Sequence, residues 1–259
     1  MKYIFYLIFG TFFLTSINSC KKTDNNPIST PIVMNLHQML DTNGRKPYIY
    51  ISFETGMYPT LNYSLDYKTS VDGNNVYVEF TNVTNPGMGL TMMGPAKGYI
   101  LLGALNSGNY QLNFKNGSAT YRPMLVVTDS NFSVLGAGTS GMSFKTTTLN
   151  KVPANTIWGH ITSSAARLPS VDSVISALEA MGAQTYSGPI GNYELYTISP
   201  GMIPDTGYDE PKARNFIYHY TGNCANIDSL VKRYRYVPLS ELYVMVYASN
   251  GRSYLSGQH

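Results

Sequence analysis

Tyr48-Ile49-Tyr50-Ile51-Ser52-Phe53 alternates Ile49, Ile51 and Phe53 with Tyr48, Tyr50 and Ser52, the period of a strand with one dry face. Leu61, Tyr63, Leu65 and Tyr67 repeat the pattern against Asn62, Ser64 and Asp66, and Val76, Val78 and Phe80 repeat it against Tyr77, Glu79 and Thr81. Asp72-Gly73-Asn74 separates two of these runs. Lys115-Asn116-Gly117-Ser118 separates Tyr110, Leu112 and Phe114 from residues 121–127, and Asn-Gly there favours a type I′ hairpin turn. Strands at such spacing, with no helical period between them, predict an all-β sandwich over residues 32–137.

Residues 138–154 are rich in Gly, Ser and Thr without a clear period and read as a linker, although a last strand at residues 142–147 fits the first domain. The pattern then changes in kind. Residues 156–162 alternate as a strand; Val171, Val174, Ile175, Leu178 and Met181 follow at helical spacing, with Pro169-Ser170 as a start and Gly182 as a stop. Residues 192–198 and 215–221 read as strands. Ile227, Leu230, Val231 and Tyr234 make a second amphipathic helix, and residues 242–248 a final strand. The order βαββαβ predicts an α+β ferredoxin-like domain over residues 155–259, with Asn250-Gly251 turning a terminal hairpin.

Leu105-Asn106-Ser107-Gly108-Asn109-Tyr110 resembles the L-x-x-G-x-Y tyrosine corner of immunoglobulin-like and fibronectin-like sandwiches. The resemblance implies that the first domain is an immunoglobulin-like sandwich in which the Tyr110 hydroxyl bonds a backbone group upstream. It implies a fold and no activity.

The amino terminus carries a second resemblance. Lys2, the apolar run of residues 3–14 and Ile17-Asn18-Ser19-Cys20 have the length and polarity of a secretory signal rather than a membrane span. Ending on Cys20 after Ser19, the segment resembles a bacterial lipoprotein signal with a relaxed lipobox, in which Asn18 replaces the usual small residue. The resemblance implies cleavage of residues 1–19, lipidation of Cys20, and a lipid-anchored protein of the bacterial cell envelope, at the outer membrane. Residues 20–31, polar and carrying Pro27 and Pro31, then read as a flexible tether. Such a chain resembles two-domain envelope lipoproteins whose sandwich spacer holds a distal module away from the membrane.

Composition narrows the partners. Eighteen Lys and Arg stand against 15 Asp and Glu in 259 residues, too even a balance for nucleic acid. With Cys20 acylated, Cys224 has no partner for a disulfide and reads as a buried small hydrophobe.

In a ferredoxin-like sheet the first and third strands are central. Ile157 and Ile161 then face the helices, which turns Trp158 and His160, with Tyr243 and Tyr247 of the last strand, onto the opposite face. An open face of Trp158, His160, Tyr243 and Tyr247 is the expected ligand site, suited to stacking sugars or peptides; packing of that face on the first domain is the competing expectation. The face resembles that of ferredoxin-like RNA-binding domains, but their basic, glycine-bearing motif is absent. No metal site is expected: His160 and His219 lack H-x-x-x-H or C-x-x-C spacing. No catalytic group is expected either, because G-x-S-x-G, a phosphate-binding Gly loop and paired glutamates are missing, and no cofactor follows. The acidic loop of residues 199–214 lacks the EF-hand order of ligands, and Met88, Met92 and Met93 in residues 85–98 read as adaptable or buried filler. The expected function is capture of a glycan or protein ligand at the envelope; the alternative is a structural subunit of an envelope or adhesion assembly.

Overall fold

The alternating segments at Ile49 and Val76 form strands with the inward faces that their period specifies, whereas Leu61 and Tyr63 fall before the strand that carries Leu65, and Leu61 is exposed; the strands assemble into one sheet rather than two. The computed structural model describes residues 27–40, 47–85, 87, 92–139, 141–186, 188–194, 196–198 and 213–257. Cys20 and its signal, Met88, and residues 199–212 of the acidic loop lie outside the described residues.

The strands of the first region are β1 (Ile32–Met39), β2 (Tyr48–Tyr58), β3 (Ser64–Asp72), β4 (Asn75–Thr84), β5 (Gly94–Gly103) and β6 (Gly108–Asn116). They continue as β7 (Ala119–Tyr121), β8 (Met124–Val127), β9 (Asn131–Leu135), β10 (Met142–Phe144) and β11 (Thr148–Asn150). The sheet runs β10-β1-β2-β5-β3-β4-β6-β8-β9-β11, with β7 paired only to β6. An immunoglobulin-like sandwich is therefore not what residues 32–137 build. Three pairings, β1 with β10, β3 with β5 and β4 with β6, are parallel, and Ser64 opposite Lys97 carries the sheet from β5 to β3. Alternation dictates which face of a strand is dry; it does not dictate the neighbour or its direction, and that is why the expectation failed.

The sheet curls around a single aromatic core. Phe53 stands edge-on to Phe80 and Phe114 at ring-centroid distances of 5.1 and 6.1 Å, and Ile32, Met34 and Leu36 of β1 point into the same cluster. Residues 138–154, read as a linker, carry β10 and β11 of this sheet. The inner end of the expected tether is docked rather than loose: the Ile28 N–H donates to Asn116 Oδ1 at 2.8 Å, and Asn116 Nδ2 donates back to the Ile28 carbonyl at 2.9 Å. The Tyr110 hydroxyl donates to the Asn106 carbonyl at 3.0 Å, as the L-x-x-G-x-Y spacing implies. A local hydrogen-bonded corner thus forms in a topology other than the one it resembles. At the Asn-Gly turn Gly117 has φ of 59°, while among described non-glycines only Asn155 has positive φ, so the expected type I′ turn, which requires two, is not made.

The second region holds β12 (Thr156–Ser163), a 3₁₀ turn (Ala165–Arg167), α1 (Leu168–Ala180), β13 (Gln184–Thr185), β14 (Gly191–Asn192), β15 (Thr197–Ile198), β16 (Ala213–His219), α2 (Cys224–Lys232), β17 (Leu242–Ala248) and β18 (Ser253–Leu255). Its main sheet is antiparallel in the order β13-β16-β12-β17-β18. Val171, Val174, Ile175 and Leu178 of α1 and Ile227, Leu230 and Val231 of α2 pack on Ile157, Ile161, Phe216, Val244 and Val246. The Asn223 side chain caps α2, accepting from the Ala225 N–H at 2.9 Å.

The expected βαββαβ order is also corrected. Residues 192–198, read as its second strand, do not join the main sheet; β14 and β15 pair with each other as a separate hairpin. The edge beyond β16 is the two-residue β13, and β18 adds a strand beyond β17. The reason lies in Tyr193 and Tyr196, three residues apart, which a flat strand would send to opposite faces. The hairpin places both on Trp158.

A candidate site at the joint between the two regions

Hairpin β14–β15 covers the face of the second sheet that is turned away from the helices. Trp158 is 1% exposed and His160 2% exposed, so for these two residues the expected open face is corrected to a covered one. The Trp158 ring lies 5.2 Å from Tyr196 and stacks on Tyr247 at 6.0 Å. Tyr193 and Tyr196 stack on each other at 4.6 Å, and Val152 joins the cluster with Leu40, Ile198 and Ile217 packed against it. His160 meets Tyr243 at 6.3 Å on the same face. Tyr243 and Tyr247 remain half-buried. The sheet thus brings the four expected residues together as two pairs, Trp158 with Tyr247 and His160 with Tyr243. His219 is opposite Thr156 in the ladder, while His160 is opposite Asn215, so the two histidines do not meet.

Burial sets the electrostatics of this layer. Desolvation pushes the Tyr193 and Tyr196 hydroxyls far above the ordinary phenol range, with smaller contributions from neighbouring tyrosines. Desolvation also lowers the His160 pKa, favouring the neutral ring. Trp158 Nε1 and Tyr196 Oη are buried without a hydrogen-bond partner among the described residues. Unpaired groups of this kind cost about 1–3 kcal/mol each.

The polar half of the joint comes from the first sheet, whose outward residues sit in cross-strand rows. Asn35, Ser52 and Tyr99 form one row across β1, β2 and β5; His37, Tyr50 and Leu101 form the next. Tyr99 is 63% exposed and Leu101 60% exposed. His37 stacks on Tyr50 at 4.5 Å with the rings 10° from parallel, and Tyr99 meets Tyr50 edge-on at 6.4 Å. From the hairpin, Glu194 reaches this surface. Its Oε1 is 2.8 Å from His37 Nδ1, and its Oε2 accepts from the Gln38 N–H at 3.0 Å. The other ring nitrogen, His37 Nε2, is 2.8 Å from Ser52 Oγ. Burial raises the Tyr50 pKa, and the Glu194 carboxylate adds to the shift. The buried Gln38 side chain accepts from the Val152 N–H at 3.0 Å, a further tie at the joint.

A cleft of about 310 Å³ opens where these parts meet, walled by Tyr50, Trp158 and Tyr247 and flanked by Glu194 and Arg252. A second hollow of about 310 Å³ lies on the other side of His37 and Glu194, beside Asn35, Lys145 and Tyr193. Among the described residues no group of three or more His, Cys, Asp or Glu side chains is placed to hold a metal ion.

Sequence reasoning reached Trp158 and Tyr247 but missed His37, Tyr50, Ser52, Glu194 and Arg252. The outward positions of β1 and β2 held the available signal: His37, Tyr50 and Ser52 occupy the wet phase of strands whose dry phase is aliphatic and aromatic. No protein-family model matches the chain, and no curated protein and no solved structure matches it either.

Proposed function

We propose that the chain is a lipid-anchored envelope protein that captures a glycan in the cleft at the joint. The observation that carries the reading is the cleft itself, where the half-buried Tyr50 from one region and Tyr247 from the other converge over the buried Trp158, beside the opposite charges of Glu194 and Arg252. Aromatic faces provide sugar-stacking area at low ordering cost, and a carboxylate with a guanidinium supplies acceptors and donors for hydroxyl groups. The anchor rests on the resemblance of residues 1–20 to a lipoprotein signal, and Cys20 is the residue acylated.

Calorimetric titration of the mature chain against bacterial surface oligosaccharides tests the reading. Tyr50→Ala and Arg252→Ala should each weaken binding by about tenfold or more, the scale of an interface anchor, while the melting temperature holds. Absence of binding to any oligosaccharide in the panel overturns it. The alternative, a subunit of an envelope assembly, draws on exposed Met39, Tyr99 and Leu101. It requires a concentration-dependent multimer in light scattering, which Leu101→Glu should dissolve.

A further inference from the structure

Ser52, His37 and Glu194 are joined by hydrogen bonds in the connectivity of a nucleophile, its base and the carboxylate that orients the base. Ser52 Oγ is 2.8 Å from His37 Nε2, and His37 Nδ1 is 2.8 Å from Glu194 Oε1. An ionised carboxylate only accepts, so in the neutral ring Nδ1 carries the proton and Nε2 presents its lone pair to the Ser52 hydroxyl. We propose that Ser52, His37 and Glu194 form a serine hydrolase site that cleaves carboxylic esters, an activity distinct from glycan capture in the neighbouring cleft, with which it shares Tyr50 and Glu194.

Each group is held by something other than its catalytic partner. Ser52 sits in the middle of β2, paired on one side with Asn35 and on the other with Tyr99, so its backbone is fixed. His37 is opposite Tyr50, which makes Ser52 its diagonal neighbour, within reach of a long side chain on the same face. The stack on Tyr50 fixes the plane of the imidazole. The Gln38 N–H holds the second oxygen of Glu194. The three residues are 15 and 157 positions apart along the chain, counted from His37, so no linear motif exposes them. Ser52 is itself partly exposed on the outward face, and the hollow lined by Asn35, His37, Lys145 and Glu194 lies beside its base.

The chemistry closes on these residues. Ser52 Oγ bonds to the ester carbonyl carbon as its proton passes to His37 Nε2. The carbon–oxygen bond to the alcohol breaks, and the alcohol leaves with that proton. Water then attacks the acyl-serine, giving a proton to His37, and Ser52 departs and regains it; ester and water become acid and alcohol. Asn35 is directly across from Ser52 on the outward face, and its side-chain amide is the donor assigned to the developing oxyanion. Glu194 is a positioning residue that keeps His37 in the required tautomer.

The test treats the full mature chain with a fluorophosphonate and with 4-nitrophenyl acetate. The expected result is one adduct, mapped to Ser52 by peptide mass spectrometry, and ester turnover lost in Ser52→Ala with melting unchanged. Glu194→Gln should lower kcat by about 100-fold or more and alter the pH–rate profile, with partial rescue by Glu194→Asp. Asn35→Ala should lower kcat by roughly 100-fold with little change in KM. Ser52→Ala removes one partly exposed hydroxyl and leaves the backbone ladder and the His37–Glu194 contact in place, so it decides the matter. An unlabelled Ser52, or equal turnover by the parent chain and Ser52→Ala, overturns the proposal.

Discussion

Strand β1 buries alternate residues, Ile32, Met34, Leu36 and Gln38, and leaves the others at the surface; β12 buries almost every residue from Thr156 to Ser163. The first lies in a curled sheet with one dry side, the second in a sheet with helices on one side and hairpin β14–β15 on the other. Sequence alternation reports one buried face. A second buried face has to be inferred from whatever covers it, and here the cover is a hairpin whose own strands are two residues long. The difference teaches that Trp158 is core, and that the usable surface moves to the rim where the two regions touch and Tyr247 stays half-buried.

The largest expected effect sets Trp158 against Tyr99. Trp158→Ala empties a fully enclosed site and should cost about 3–5 kcal/mol in denaturant unfolding. Tyr99→Ala, at a side chain 63% exposed, should fall within about 0.5 kcal/mol of the parent. Equal effects would erase the contrast between a two-sided and a one-sided sheet.

Gly159 probes how closely β12 is enclosed. A Cβ at this position would sit 2.0 Å from the Met245 carbonyl oxygen and 3.0 Å from the Phe216 ring, so Gly159→Ala forces backbone to move. The expected loss is about 1–3 kcal/mol, read from the shift of the unfolding midpoint. A neutral substitution would mean that the sheet yields more easily than its packing implies.

Alkaline titration sharpens the comparison at the joint. The Tyr193, Tyr196 and Tyr50 hydroxyls have folded pKa values above that of an ordinary phenol, so above pH about 10 the unfolded chain holds fewer protons than the folded one. Stability is fully present below that pH and falls as pH rises through it. Tyrosinate absorbance should therefore show a class that ionises only as the joint opens. Smooth titration of every tyrosine without loss of tertiary structure would count against a buried hairpin.

The smallest effect concerns His160. Its folded pKa lies below the ordinary histidine value because burial disfavours the cation. The unfolded chain then binds more protons below pH about 6.5, and stability declines as pH falls through that window. His160→Gln should flatten the decline, measured as melting temperature between neutral and mildly acidic buffer.

Much of the element list was legible. Ile49, Ile51 and Phe53 announced β2, and Val171, Val174, Ile175 and Leu178 announced α1, because both elements put one apolar stripe against a core. The assembly was not legible. Nothing in the alternation of Val76, Val78 and Phe80 says that β4 lies parallel to β6. Of the site, Trp158 and Tyr247 could be read from strand phase, but Glu194 is a single carboxylate in a segment misread as a strand. Its meeting with His37 depends on tertiary packing across 157 positions.

The two outermost strands of the curled sheet, β10 and β11, lie in one short stretch: Met142–Phe144 flanks β1, and Thr148–Asn150 flanks β9. The Lys145 N–H donates to the Met34 carbonyl at 2.9 Å, and the Val134 N–H donates to the Thr147 carbonyl at 2.7 Å, so this stretch is a clasp that links the opposite margins of the sheet. Until residues 142–150 are in place both margins stay bare, so the first region closes only with its last two strands. A chain that stops at residue 137 would carry both margins bare, ready to pair with those of other copies.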